Sequence, residues 1–258
     1  MSAEKNTLKD TDIENLQING WIDRTVDWIK SQVCGAGCSG TVVGLSGGID
    51  SAVTATLCEQ AFTDNSLAVI LPCHSAPEDV EDAWMVADAM ELEAVQFDLE
   101  KAYAALSEEM FVESGPQKLA RANVKPRLRM TALYYLAQSR KSLVIGTDNL
   151  AELHLGYFTK FGDGGCDILP LARLTKGQVY EVAAHLGIPD SIIERKPSAG
   201  LWPGQTDEGE LGLTYRQVDA YLQGQRVSDE AAQIIQKQHK ASEHKRRMPP
   251  VPQFGLQS

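Results

Sequence analysis

A chain of 258 residues with 43% hydrophobic content buries roughly 70–75% of its unfolded surface on folding, enough for one large α/β domain without disulfides or a structural metal. Its formal net charge of −11 argues against a protein built to hold nucleic acid, because phosphate backbones select for basic faces. Cys34, Cys38, Cys58, Cys73 and Cys166 make an odd number without framework spacing, the start has no apolar signal core, and no stretch reaches the roughly 20 apolar residues of a membrane span. These features predict a cytoplasmic protein with free thiols and no membrane partner.

Apolar residues at Ile13, Leu16, Ile18, Trp21, Ile22, Val26 and Ile29 fall at helical spacing and predict a helix over about 11–33. The β-rich run Thr41–Leu45 leads into a small-residue loop, and Ala52–Leu57 continues as helix. Leu67–Leu71 reads as a second strand ended by Pro72. A helix near 78–92 follows, with Glu78, Asp79 and Glu81 at its start, where the macrodipole favours acids. Ala94–Leu99 and Ser142–Gly146 are further strands, separated by helices near 100–112 and 126–140. Beyond residue 170 only helices are predicted, near 175–186, 189–194, 214–223 and 229–241, before an irregular tail. Strands alternating with helices imply right-handed βαβ units. The fold class predicted is therefore α/β, a single domain with an open parallel sheet, helices on both faces and a helical C-terminal part.

The sharpest chemical signal is Gly44-Leu45-Ser46-Gly47-Gly48-Ile49-Asp50-Ser51 between a strand and a helix. Adjacent glycines let backbone N–H groups approach an anion without Cβ obstruction, and the following helix points free N–H groups and a positive dipole end at the same spot. Ser46 and Ser51 can donate to phosphate oxygens. Asp50 would repel phosphate, so it suits a Mg²⁺ ligand. The Gly-Lys-Ser/Thr ending of a Walker loop and a G-x-G-x-x-G fingerprint after a strand are both missing.

The SGGxDS pattern resembles the pyrophosphate loop of the N-type ATP pyrophosphatases, enzymes that cleave ATP between its α and β phosphates and adenylate an acceptor. Six further ordered segments narrow the likeness. They are Asn123–Met130, Gly146–Glu152, Gly156–Asp167, Pro170–Lys176, Lys196–Ala199 with Gln205–Gly212, and Glu243–Arg247. Together they resemble the ammonia-dependent NAD synthetases from about residue 20 to 250. That resemblance implies an adenine nucleotide α-hydrolase-like, Rossmann-like fold and a homodimer. Its substrates would be ATP, deamido-NAD and ammonia, with Mg²⁺ as cofactor and no nucleic-acid partner.

The resemblance also distributes roles. Gly44, Leu45, Ser46, Gly47, Gly48, Ile49, Asp50, Ser51, Thr147, Lys176 and Ser198 match the ATP site. Glu152 joins Asp50 as metal ligand, two carboxylates suiting the octahedral demands of Mg²⁺. Arg127, Lys160, Asp167, His244 and Lys245 match contacts to deamido-NAD; Arg127 is preferred over Arg129 because it lies one helical turn from Asn123. Asp163, in the glycine-rich 161–167 loop, is a candidate for deprotonating ammonium, beside the plainer reading of a turn-forming acid. Lys176 is assigned to the departing pyrophosphate. The segment 73–79 lacks the arginine and glutamine expected around adenine. Nothing before Ser46 has room for a glutaminase domain, so the expected nitrogen source is free ammonia or ammonia delivered by a separate subunit. Two rival readings stand beside this one: a tRNA-thiolating enzyme of the same superfamily, and a sensor that binds ATP without chemistry.

Overall fold

The computed structural model describes residues 10–110, 117–202 and 204–253. Four strands form one sheet: β1 (Gly40–Gly44), β2 (Ser66–Ile70), β3 (Ala94–Gln96) and β4 (Ser142–Ile145). All pair in parallel in the order β3-β2-β1-β4. The first helices are α1 (Asp10–Gly35), α2 (Ile49–Ala61), α3 (Pro77–Ala89), α4 (Glu100–Glu109), α5 (Gln117–Ala122) and α6 (Val124–Arg140). After the sheet come α7 (Leu150–Leu155), α8 (Lys176–Leu186), α9 (Asp190–Ile193), α10 (Asp207–Leu211), α11 (Tyr215–Leu222) and α12 (Asp229–Ala241). The expected open parallel sheet with helices on both faces is therefore present.

Strand alternation explains the two-sided burial. Val43, Ala68, Ile70 and Ile145 point to one face and pack with residues of α1, α2, α3 and α8, including Ile29, Val53, Val86 and Val179. Val42, Leu67, Val69 and Val144 point to the other, against Ala137 and Leu133 of α6. A third cluster, with Leu155, Leu211, Tyr215, Val218 and Ile235, joins α7, α10, α11 and α12 into the C-terminal layer. Apolar burial at about 25 cal/mol per Å² makes these three clusters the main driving force of the fold.

Two local expectations change. The third strand ends at Gln96, not Leu99: Leu99 N already donates to Pro72 O and Glu100 N to Asp98 Oδ1, turning the chain into α4. The short helix α10 has no apolar period to announce it and is set by Thr206, whose hydroxyl accepts from Gly209 N. Pro126 sits in the first turn of α6, where its missing N–H costs nothing. The predicted apolar positions Ile13 and Leu16, the 111–112 end of the fourth predicted helix and the last five residues of the tail lie outside the described residues and side chains.

Sheet order positions the site. From β1 the chain moves outward through α2 to β2 and through α3 to β3, then returns across the opposite face to β4 on the far side of β1. The sheet thus has its switch point between β1 and β4, and the loops leaving their carboxyl ends, 45–48 and 146–149, diverge there to leave a crevice.

Candidate active site

The crevice is a cavity of about 460 Å³, within the range of small-ligand sites, lined by both loops, α6, the 156–166 segment and the 195–207 segment. In the first loop Gly47 is the residue that needs glycine, with φ +79. A Cβ there would stand 2.6 Å from Asp79 O and 2.9 Å from Asp82 Cβ, so the loop lies directly on α3. Gly48 is extended and caps α2 without a side-chain hydrogen bond, which leaves the first-turn N–H groups of the helix available to an anion. Ser51 Oγ donates to Gly48 O at 2.8 Å and accepts from Ser46 N at 3.2 Å, while the two hydroxyls lie 3.1 Å apart. Both serines are thus inside the loop, braced on each other.

Lys176 is the centre of the charge arrangement. It is the largest fully buried side chain of the described residues, at 2% exposure. Its ammonium is bonded to Asp50 Oδ2 and lies 3.5 Å from Glu152 Oε1, with the Tyr215 ring face 5.0 Å away. Burial alone would lower its pKa, but Asp50 and Glu152 outweigh that and hold it raised. Glu152 is pushed up to about 7, by burial first and then by Asp50, against the pull of Lys176. Buried Tyr215 OH donates to Asp207 Oδ2 at 2.9 Å and lies 3.3 Å from Glu152 Oε1.

Sequence reasoning passed over the residue that assembles this cluster. Asn149, fully buried, donates from Nδ2 to Asp50 Oδ1 at 2.9 Å while its Oδ1 accepts from Ala151 N and Glu152 N. Glu152 Oε2 in turn accepts from Asn149 N at 3.0 Å, closing a capping box. The Asn-x-x-Glu spacing was a visible signal of that box; its third contact, to a residue 99 positions earlier, was not.

The remaining expected site residues divide. Gly44, Leu45, Ser46, Gly48, Ile49, Asp50, Ser51, Thr147, Glu152, Asp163, Lys176, Ser198 and Lys245 line the cavity. Ser198 Oγ already donates to Gln205 O at 2.8 Å. Arg127, Lys160, Asp167 and His244 lie off its lining. Arg127 is exposed and donates to Lys160 O at 3.3 Å. Lys160 Nζ donates to His244 O at 2.6 Å. Asp167 accepts from Tyr134 OH at 2.9 Å and Val144 N at 2.8 Å, which fixes it to the edge of β4.

The preference between the two arginines of α6 meets a different geometry. Pro126, Arg129, Met130 and Leu133 face the cavity, an i, i+3, i+4, i+7 stripe. Arg129 Nε donates to Leu71 O at 2.9 Å and Nη2 to Ser75 Oγ at 3.1 Å. Asn123, just before the helix, lines the cavity as well, whereas Arg127 one turn later lies off the lining. His74 packs on Tyr103 and Glu100, outside the cavity. Arg195, from the segment after α9, is salt-bridged to Asp79 and Asp82 of α3 and closes the cavity beside the loop. Cys166 lines the cavity with a thiol pushed up to about 12 by burial, Asp148, Asp167 and Asp163, which leaves it protonated and inert as a nucleophile.

The family model described as NAD synthase matches residues 21–249. The chain belongs to the NAD synthase family. A relative from Carboxydothermus hydrogenoformans described as an NH(3)-dependent NAD(+) synthetase is 49% identical, over 90% of this chain and 98% of its own length. Among solved structures, an NMN synthetase from Francisella tularensis is 40% identical with a TM-score of 0.87, over 92% of this chain and 99% of its own. An NH3-dependent NAD synthetase from Campylobacter jejuni is 28% identical with a TM-score of 0.75, over 92% and 99% of the two chains. This NAD synthase family member thus carries its loop, buried lysine and paired carboxylates in one cavity at the sheet's switch point.

Proposed function

We propose that this protein is an ammonia-dependent NAD synthetase. It joins the nicotinate carboxylate of deamido-NAD to the α-phosphorus of ATP with release of pyrophosphate, and then lets ammonia displace AMP. The observation that carries the reading is the Asp50–Lys176–Glu152 cluster set against the open N-terminus of α2 in one cavity. A carboxylate has no good leaving group; as an acyl-adenylate it has AMP. The loop amides of 46–49 and the α2 dipole bind phosphate, Ser46 and Ser51 exchange their mutual bonds for phosphate oxygens, and Lys176 neutralises charge on the departing pyrophosphate.

Asp50 and Glu152 converge on one cation in the structure, namely the Lys176 ammonium. Two hard oxygens so placed fit Mg²⁺ together with phosphate oxygens and waters, and binding it would free Lys176 for the nucleotide. The ion would supply charge neutralisation and a template for the triphosphate. Thr147 and Ser198 complete the ATP contacts. Arg127, Lys160, Asp167, His244 and Lys245 are proposed for the acceptor, Lys245 from within the cavity and the others from its surroundings. The protein is proposed to be cytoplasmic, supported by its free cysteines and by the lack of any helix among the described residues long and apolar enough to cross a membrane. It is proposed to be a homodimer, supported by the exposed apolar side chains Leu106, Met110, Leu119 and Tyr135 at α4–α6.

The likeness to an NMN synthetase favours a second acceptor, nicotinate mononucleotide, whose carboxylate is the same. The deciding experiment supplies ATP, Mg²⁺ and ammonium with each acceptor in parallel. AMP and NAD in equal amounts from deamido-NAD, with no glutamine-supported turnover once free ammonia is removed, is the expected result. Preferential turnover of the mononucleotide would reassign the acceptor, and AMP formation with neither would sink the reading.

A further inference from the structure

Asp148 follows Thr147 on the loop after β4. It lines the cavity, is 5% exposed, and its Oδ2 is buried without a hydrogen-bond partner. A carboxylate oxygen held out of water without a donor is costly, and such a group at a cavity wall points to a ligand that brings the donor. Its surroundings sharpen the ligand's chemistry. Asp163, Glu152 and Asp50 all add negative charge near it, offset in part by Lys245. The Lys245 ammonium is spent on main-chain carbonyls, Gly156 O at 2.8 Å and Phe158 O at 2.7 Å. The wall therefore offers acceptors and negative charge in excess of donors, which suits a small cation that carries N–H groups.

Asp163 is placed differently. It lines the cavity too, but its Oδ1 accepts from Thr159 N at 3.0 Å, while Gly162 N and Gly164 N close the same turn on Thr159 O. Its carboxylate shapes the loop. We infer that Asp148, and not Asp163, is the carboxylate that binds ammonium and takes its first proton. The inference rests on the ammonia-dependent reading above and names the site of that substrate.

In the step this implies, ammonium donates an N–H to Asp148 Oδ2 and the proton crosses, leaving a carboxylic acid and neutral ammonia. The ammonia lone pair forms the C–N bond at the adenylated carbonyl carbon. The C–O bond to AMP then breaks, its electron pair leaves on the phosphate oxygen, and the surplus proton on nitrogen passes to that phosphate. No redox partner is needed.

The test compares two rates in the full chain: ATP–pyrophosphate exchange with the acceptor, which needs no ammonia, and product formation across an ammonium titration. Asp148→Asn and the smaller Asp148→Ser are expected to lose about tenfold or more in kcat/KM for ammonium beyond any loss in exchange. Hydroxylamine, an uncharged nucleophile at neutral pH, is expected to lose less. Asp148→Asn is expected to melt no lower than wild type, since it removes a buried carboxyl whose Oδ2 has no partner. Equal fractional loss in both rates would give Asp148 a structural role and overturn the inference, as would an unchanged ammonium dependence. Asp163→Asn is expected to lower both rates together; an ammonium-specific defect there and none at Asp148 would hand the role to Asp163. A wild-type protein that forms no AMP with either acceptor would instead defeat the functional reading beneath it.

Discussion

Lys176 is a buried cation in an acidic pocket, held there by its partners. An ion pair taken out of water recovers its desolvation cost only with close partners on every side, and here Asp50, Glu152 and the Tyr215 ring supply them. The cost shows in Glu152, which burial and Asp50 push from 4.5 up to about 7. Between those values the folded protein holds a proton that the unfolded chain has lost. Unliganded stability is therefore expected to fall as pH rises from about 4.5 to about 7, by on the order of 3 kcal/mol. Glu152→Gln keeps an acceptor for Asn149 N and removes the titration. Chemical denaturation at a series of pH values checks this, and an identical slope in the variant would refute it. Asp50, Glu152 and Lys176 were each legible in the sequence through their motifs. Asp148 and Asn149 were not, because what marks them is an absent donor in one case and a contact 99 residues away in the other.

Among the elements, the β1–α2 junction shows one glycine carrying a demand that two seemed to share. Gly47 alone has the left-handed φ, and the space where its Cβ would stand is filled by Asp79 O of α3. Gly47→Ala is expected to cost about 1–3 kcal/mol through strain and to weaken ATP binding by about tenfold, because the loop must lift from α3 and take its amides out of line. Urea unfolding and calorimetric titration measure the two effects; wild-type values for both would show that the loop tolerates the shift. Arg195 extends the same contact, tying the segment after α9 to Asp79 and Asp82, so the floor of the cavity depends on three separate stretches of chain. The sequence pairs Asn123 with Arg127, one turn apart; in the structure Arg129 lines the cavity with Asn123 and holds Leu71 O and Ser75, while Arg127 lies off the lining.

At the scale of the whole molecule, the two layers around the sheet and the C-terminal cluster leave several apolar side chains of the described residues exposed on α4–α6. Helix α4 buries none of its residues, and Leu106, Met110, Leu119 and Tyr135, the last 72% exposed, lie across α4–α6. Exposed apolar groups gathered on adjacent helices mark an interaction surface, which agrees with the proposed homodimer. Tyr135→Glu is expected to shift the sedimenting species from dimer toward monomer while circular dichroism stays unchanged. A wild-type monomer at micromolar concentration would remove the basis for that expectation. The basic run 244–247 also changes meaning at this scale. Lys245 and Arg246 bond the carbonyls of Gly156, Phe158, Leu153 and His154, so much of its charge fastens the C-terminal segment to the cavity wall.

The sequence by itself determined the alternation of strand and helix, hence the parallel sheet, and the identity of the loop, the buried lysine and its two carboxylates. The sheet and the loop with Asp50 follow from local periodicity and from residue types at short spacing, which a chain displays before it folds; Glu152 and Lys176 were singled out by resemblance to a known family. Only the tertiary structure decided which arginine faces the cavity, that Asn149 joins Asp50 to Glu152, that Asp163 is occupied by its own loop, and that Asp148 is buried without a donor. Each of these is a statement about direction or desolvation among groups tens to a hundred residues apart. Such relations are set by sheet order and packing, and no spacing along the chain encodes them.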